Sequence, residues 1–387
     1  MDLDLIFAIA FYALIFGYYF THKKRFITQN KIFLLYKTKL GLGLMDRAAR
    51  ISRQLKYVGY FSVFLGFIGM GAIFVWLVKG FLNLVLVPGA KPTVGLLLPG
   101  VRIPGGFFVP FWYGIISIFI VAVLHEFSHG VFSRLFSIRI KSSGFAVVGP
   151  ILAAFVEPDE RELQKRKKLE QLSIFAAGPA VNIYTGVIVY LLLLLLTPFA
   201  SAMVDFQGVK IIDVDKNSPA YASGLTKDEA IVNINDIQIM SVDNFTNVLG
   251  AIKAGDIIGI STDKNSYSIT ASEHPTEKGR GYLGVTISPA ETKIKSNYTK
   301  YGFLPLVFLW FIKLGMWVFM LSLGIGLVNL LPLGPVDGGR MFHTAMLTIF
   351  DEKKSKKLWK YASLLSLFLL LGNLFFPLIR WLVGFMF

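Results

Sequence analysis

The chain has 387 residues, 54% of them hydrophobic, a net charge of +15 and no cysteine. A mean hydropathy of +0.61 lies far above that of an ordinary soluble domain and points to an integral membrane protein. Without cysteine there is no disulfide framework and no thiol chemistry, so any metal must be held by histidine and carboxylate.

Apolar runs long enough to cross a bilayer fall near 3–20, 57–78, 108–133, 173–197, 303–331 and 361–386. The first follows Asp2 and contains Asp4, with no basic start and no small-residue cleavage site, so it reads as a transmembrane helix and not as a cleavable signal. Between the first and second runs lie Lys23, Lys37, Lys39, Arg47, Arg50 and further basic residues against the single acid Asp46. The next connection carries only Lys79, Lys91 and Arg102, and the one after it is basic again, from Arg134 to Lys168. This alternation predicts cytoplasmic basic loops and extracytoplasmic termini, in a membrane that suits a prokaryotic plasma membrane. The basic groups follow the membrane topology and do not gather in one folded module, which argues against nucleic acid as a partner.

Two apolar stretches are broken by glycine and proline. Leu86 to Phe108 contains Pro88-Gly89, Pro99-Gly100 and Pro104-Gly105-Gly106, and Gly144 to Pro158 contains Gly149-Pro150. Irregular backbone at membrane depth is tolerated only where protein or a water-filled cavity covers it. Both are expected to be re-entrant β segments or interfacial loops, and a strand in the second would offer an edge to an unwound substrate.

The third span contains His125-Glu126-Phe127-Ser128-His129. Two histidines four apart lie about 40° apart around a helix. Both imidazoles can therefore hold one zinc ion, with the intervening Glu126 as general base toward a water activated by the ion. Ionisable groups at membrane depth each cost about 2.5–3.5 kcal/mol on insertion, which argues for a use. In the fourth span, Gly178-Pro179-Ala180-Val181-Asn182 loosens the backbone and places an amide in lipid. Asn182 either holds the substrate backbone or an oxyanion, or bonds a neighbouring helix.

Residues 204–300 have globular composition and balanced charge. β-like runs at 208–214, 230–235, 256–261 and 266–270 alternate with turns, and Val242 to Ile252 reads as a helix with Asp243 as N-cap. The order of Val209-Lys210-Ile211-Ile212-Asp213-Val214, then Ser218-Pro219-Ala220, Gly224-Leu225 and Ile231-Val232-Asn233-Ile234 resembles a PDZ domain. Such domains bind peptide termini or extended strands, so a peptide or protein ligand is expected. Lys227-Asp228-Glu229 stands where bacterial forms usually have Gly-Asp before the third strand.

A catalytic zinc needs a third protein ligand and an open position. His22, His274, His343 and Glu157 are candidates, and Asp337 is the best choice. It follows Asn329, Pro332 and Pro335 at the end of the fifth span and precedes Gly338-Gly339, which let the chain turn. The plainer reading makes Asp337 a turn-former or helix cap.

Together, His125-Glu126-x-x-His129, Gly178-Pro179-x-x-Asn182 and Asn329-x-x-Pro332-x-x-x-x-Asp337-Gly338, each on its own span, resemble the site-2 protease family of intramembrane metalloproteases. The resemblance runs from about residue 57 to 386. It implies one Zn2+ held by His125, His129 and Asp337, Glu126 as catalytic base, and cleavage within or beside transmembrane segments of single-span or other membrane proteins. Asn182 and Asn329 become candidates for substrate binding or transition-state support.

The expected fold is a polytopic α-helical membrane protein of about six transmembrane helices with re-entrant β segments and an inserted β-rich PDZ-like domain. Residues 1–56 would form the first helix and a basic loop, 57–203 and 301–387 the two parts of the protease core, and 204–300 the extracytoplasmic insert. Rival readings are a membrane zincin with a downstream glutamate ligand, and a non-catalytic transporter or PDZ-bearing membrane scaffold. No inverted repeat supports a transporter, and a scaffold has no need of Glu126.

Overall fold

The computed structural model describes residues 3–23, 26–29, 33–51, 54–87, 90, 92–95, 97–101, 108–148, 151–205, 208–274, 279–289, 293–334 and 336–384. The chain forms two compact units, residues 1–194 with 313–387, and residues 195–312.

The first unit opens with α1 (Leu3–Thr21), β1 (Phe26–Gln29), β2 (Phe33–Thr38), α2 (Leu42–Ile51), α3 (Leu55–Leu86) and α4 (Phe111–Leu135). It continues with β3 (Ile140–Val148), β4 (Ile151–Pro158), α5 (Glu160–Gln164) and α6 (Lys168–Met203), which runs on into the second unit. The four strands form one antiparallel sheet in the order β1-β2-β3-β4. Gly144 is needed at its centre, since a Cβ there would lie 2.0 Å from the Tyr36 carbonyl oxygen. The segment expected as a hairpin at 144–158 is the β3–β4 pair. The other broken stretch has no strand among its described residues, and 102–107 lie outside them. Where the sequence predicts a plain basic loop, the chain forms β1, β2 and α2. A short strand such as β2 is stabilised by its neighbours, and one of those, β3, lies over a hundred residues away.

The second unit holds β5 (Val204–Asp205), β6 (Val209–Val214), α7 (Pro219–Ala222), β7 (Ala230–Ile234), β8 (Ile237–Gln238) and α8 (Val242–Gly250). It closes with β9 (Ile257–Thr262), β10 (Ser266–Thr270), β11 (Ser272–Glu273), β12 (Gly281–Tyr282), β13 (Val285–Pro289), β14 (Lys293–Ile294) and α9 (Ser296–Thr299). Its main sheet runs β10-β9-β7-β6-β13, with β8 paired to β7. Val209, Ile211, Ile231, Ile234, Ile258 and Ile260 bury their side chains with Phe245 of α8 in one core. The N-cap of α8 is Ser241, whose Oγ accepts from Asn244 N, and not Asp243, which sits inside the first turn. The departure at 227–229 keeps the turn: Asp228 takes φ +68°, a conformation Asp tolerates, and Glu229 turns inward.

The chain re-enters the first unit within α10 (Leu304–Asn329) and ends with α11 (Asp337–Met346) and α12 (Glu352–Gly384). Among the described residues six helices are long and apolar enough to cross a membrane: α1, α3, α4, α6, α10 and α12, the last over Glu352–Phe376. Glycines let α3 pack closely on its neighbours. A Cβ at Gly59 would lie 2.5 Å from the Phe132 ring, at Gly66 2.7 Å from Met341 and at Gly69 2.5 Å from Leu330. Phe132, Phe175, Leu330 and Met341 belong to one buried cluster, so α4, α6, the end of α10 and α11 share a core.

Candidate metal centre

Helix α4 starts after Pro110, where the Phe111 N–H donates to Asp4 Oδ1 of α1 at 3.1 Å. Its second half carries His125, Glu126 and His129. Helix α11 presents Asp337 as its first residue, where a carboxylate also complements the helix dipole. The structure brings three of these groups together. His125 Nε2 lies 3.0 Å and His129 Nε2 3.2 Å from Asp337 Oδ2, and the two Nε2 atoms are 3.2 Å apart. A tetrahedral zinc with bonds of about 2.0–2.1 Å has ligand–ligand edges of about 3.3 Å. The triangle therefore fits the three ligands of one small ion, and among the described residues it is the one such group of His and carboxylate ligands.

Proton positions support the same fit. His129 Nδ1 lies 2.7 Å from the Ile174 carbonyl of α6. A carbonyl only accepts, so Nδ1 holds a proton, and in the neutral ring that a metal requires Nε2 turns a lone pair into the triangle. Behind His125, the Asn182 amide lies 3.1 Å from Nδ1, with Asn182 fully buried. With Nδ2 facing His125, Oδ1 is buried with no partner among the described residues. With the amide turned over, Oδ1 accepts from His125 Nδ1–H, and Nε2 of His125 is then likewise a lone pair. Gly178 supplies the space. A Cβ there would lie 2.3 Å from His129 Nε2 and 2.5 Å from His125 Nε2. Which side chains Gly178 packs against, here both imidazoles, has no signature in one sequence.

Asp337 is delivered by a tight turn after α10. Leu333 N donates to the Leu331 carbonyl at 2.7 Å, and Gly339 N to the Val336 carbonyl at 3.0 Å. Gly338 and Gly339 lie inside α11, and what they supply is close approach. A Cβ on the first would be 2.2 Å from the Leu330 carbonyl and on the second 2.0 Å from the Leu333 oxygen. Pro335 lies outside the described residues. The other candidate ligands go elsewhere: His22 stacks on Tyr18, His274 meets the Tyr282 ring, and His343 faces Trp359. Glu157 receives Lys37 and Ser142, and these donors, Lys37 foremost, hold its pKa below the usual carboxylate range. Asn329 ends α10 half-buried, and its side chain makes no hydrogen bond to any described residue.

Glu126 does not join the triangle. Its Oε2 accepts the Val156 N–H of β4 at 2.9 Å. That N–H is thus directed away from β3, along the outer edge of the sheet. Neither this bond nor the Ile174 contact was legible in the sequence, because both use backbone groups.

The profile of peptidase family M50 matches residues 113–372, well over half of the chain, and the match includes His125, Glu126, His129, Gly178, Asn182, Asn329 and Asp337. The chain belongs to peptidase family M50. It is an integral membrane protein and a protease of the site-2 type. An uncharacterized protein of Methanocaldococcus jannaschii is 27% identical over 347 residues, 88% of this chain and 85% of that protein. A Clostridium perfringens protein with a zinc-metalloprotease name is 22% identical over 307 residues, 66% of this chain and 89% of its own length. The zinc metalloprotease RasP of Shouchella clausii is 22% identical over 246 residues, 51% of this chain and 56% of RasP. Among solved structures, the PDZ domain of an SdrC-like protein from Listeria innocua matches at 24% identity, covering 22% of this chain and 97% of that domain, with a TM-score of 0.20.

Proposed function

We propose that this M50 peptidase is zinc-dependent and hydrolyses peptide bonds within or beside transmembrane segments of other membrane proteins, single-span proteins among them. The observation that carries the reading is the convergence of His125 Nε2, His129 Nε2 and Asp337 Oδ2 on helices α4 and α11, with Glu126 between the two histidines. His125, His129 and Asp337 hold one Zn2+. When bound, the ion supplies Lewis acidity, polarising the scissile carbonyl and making water acidic near neutral pH. Glu126 is the general base. It takes a proton from the attacking water and passes one to the leaving amine nitrogen. The Val156 N–H holds its carboxylate in place and ties it to the sheet edge.

Among the described residues β4 pairs only with β3. Backbone groups of alternate residues in an antiparallel pair point outward, so Ala154 offers its N–H and carbonyl on the same side as the Val156 N–H. An unwound substrate segment can add to this edge as a further strand. Asn182 positions His125 by accepting its Nδ1–H. Asn329 is the remaining candidate for contact with substrate or with the transition state.

The functional division is 57–203 and 301–387 as protease core, 204–300 as PDZ-like insert, and 1–56 as first helix and basic loop. The basic loops face the cytoplasm, and the termini and the insert lie outside, in a prokaryotic plasma membrane. The insert takes a peptide or extended strand, for which β13 is an edge of its main sheet. The test is Glu126→Gln in purified protein. The variant should bind zinc at native stoichiometry and leave a single-span substrate uncut in detergent; cleavage at the native rate would refute the base and with it the mechanism.

A further inference from the structure

Helix α2 carries two faces of use. Met45, Ala48 and Ala49 turn toward α4 and pack with Val131, Ile140 and Phe127. The approach is close: a Cβ at Gly130, the residue after His129, would lie 2.4 Å from Met45 Sδ. Asp46 pairs with Arg134 of α4 at 2.8 Å. The opposite side is not covered. Leu44 and Ile51 are 60% and 82% exposed, and Leu40, just before the helix, is 71% exposed. Leu44, Arg47 and Ile51 share that side by helical spacing, with Arg50 on its flank. No salt bridge or hydrogen bond engages Arg47 or Arg50 with any described residue. A cavity of about 420 Å³ opens between the two helices, lined by Asp46, Ala49, Arg50, Arg134 and Leu135.

The level of α2 in the membrane follows from what it touches. Gly130 and Arg134 are the last turns of a spanning helix, where the hydrocarbon ends and headgroups begin. Large apolar side chains exposed at that level, interleaved with unpaired arginines, match an amphipathic helix lying in the interface. Charge complementarity selects the lipid: a cationic strip favours anionic headgroups.

We propose that α2 docks on anionic phospholipid, with Leu40, Leu44 and Ile51 in the acyl boundary and Arg47 and Arg50 on the phosphates, and that this docking steadies the end of the helix bearing His125 and His129. Zwitterionic lipid offers the same acyl boundary and a phosphate, but no net negative surface charge to hold the arginines on it. The inference stands apart from the proposed peptide hydrolysis, because it concerns a lipid contact of the folded chain.

The test is hydrogen exchange on the full chain in two kinds of vesicle, phosphatidylcholine alone and phosphatidylcholine with about one-third phosphatidylglycerol. Amides of 42–51 should exchange several-fold more slowly in the anionic vesicles. Each arginine near an anionic surface shifts docking about fivefold, so R47Q with R50Q should remove most of that difference while amides of 111–124 stay protected, which reports an intact fold. Salt at about 1 M, where the screening length is about 3 Å, should do the same to the native chain. Equal exchange in the two vesicles, or a full difference retained by the double variant, overturns the proposal. So does protection reproduced in phosphatidylcholine by added glycerol phosphate, which would make the contact one for a soluble phosphate.

Discussion

Both compact units draw a carboxylate inward, Glu229 fully and Asp337 in part, and they treat it in opposite ways. In the PDZ-like unit Glu229, 2% exposed, accepts from Thr226 N at 3.2 Å, Thr226 Oγ1 at 2.6 Å, Thr262 Oγ1 at 2.7 Å and the Tyr267 hydroxyl at 2.9 Å. Its neighbours are donors, so its charge is satisfied by protein alone. In the membrane unit Asp337 faces two imidazole nitrogens, and the Ile174 carbonyl fixes the proton of one of them on its far side. With both imidazoles neutral, lone pairs gathered at 3.0–3.2 Å repel unless a cation lies among them. A carboxylate met only by donors is architecture; one that shares its space with imidazole lone pairs is suited to a metal ion.

The largest break in this contrast is expected from Asp337→Asn. It removes one of three ligands and the one negative charge among them, so zinc affinity should fall beyond the roughly 10–100-fold that the loss of supporting groups brings. Metal analysis of purified protein checks it; native stoichiometry and turnover would take Asp337 out of the ligand set. Gly178→Ala comes next. One methyl group would collide with both Nε2 atoms, so zinc retention should drop although alanine is the better helix former. Gly324→Ala is the control, since nothing lies within 4 Å of a Cβ there, and it should bind zinc like the native chain. Equal metal content in the two variants would mean that the space at Gly178 does not matter.

How much of this was legible follows from the kind of interaction. Side-chain chemistry at fixed spacing could be read: His125, Glu126 and His129 from a helical period, and the six spans from hydropathy. Asp337 could be chosen as a ligand because few other acids or histidines end a span. Backbone partners could not be read. The Ile174 carbonyl, the Val156 N–H and the bare face of Gly178 carry no residue code, and each depends on where a distant helix or strand comes to lie. The same limit hid β1 and β2, whose sheet is completed by β3 and β4. In the PDZ-like unit Lys227-Asp228-Glu229 departs from the usual pattern, and the three hydroxyl donors that take up Glu229 come from Thr226, Thr262 and Tyr267, two of them distant in sequence.

Asn182 separates positioning from substrate contact. If it accepts His125 Nδ1–H, Asn182→Asp keeps an acceptor in place and should retain zinc and activity, whereas Asn182→Leu should weaken zinc binding about 10–100-fold. If the amide instead donates to substrate or oxyanion, the aspartate variant should keep its metal and lose turnover. Zinc titration beside a cleavage assay distinguishes the two, and the second pattern would remove the positioning role.

Glu229→Gln should leave the metal centre untouched and show its effect in the PDZ-like unit alone. Burial by itself would raise the Glu229 pKa, but the donors from Thr226, Thr262 and Tyr267 outweigh it and hold the pKa below the usual range. A depressed folded-state pKa means that the stabilisation is complete above the unfolded value of about 4.3 and is lost as pH falls through the lower folded value. Hydrogen bonds to a charged group are worth about 1.5–3 kcal/mol, so near pH 7 the variant should lose about 2 kcal/mol, read as faster exchange of amides in 257–262. Below about pH 4 the native chain should weaken toward the variant, whose own stability lacks this titration. A variant as stable as the native chain at neutral pH would show that the hydroxyl cluster holds the amide as well as the carboxylate, and the contrast with Asp337 would then rest on the metal side alone.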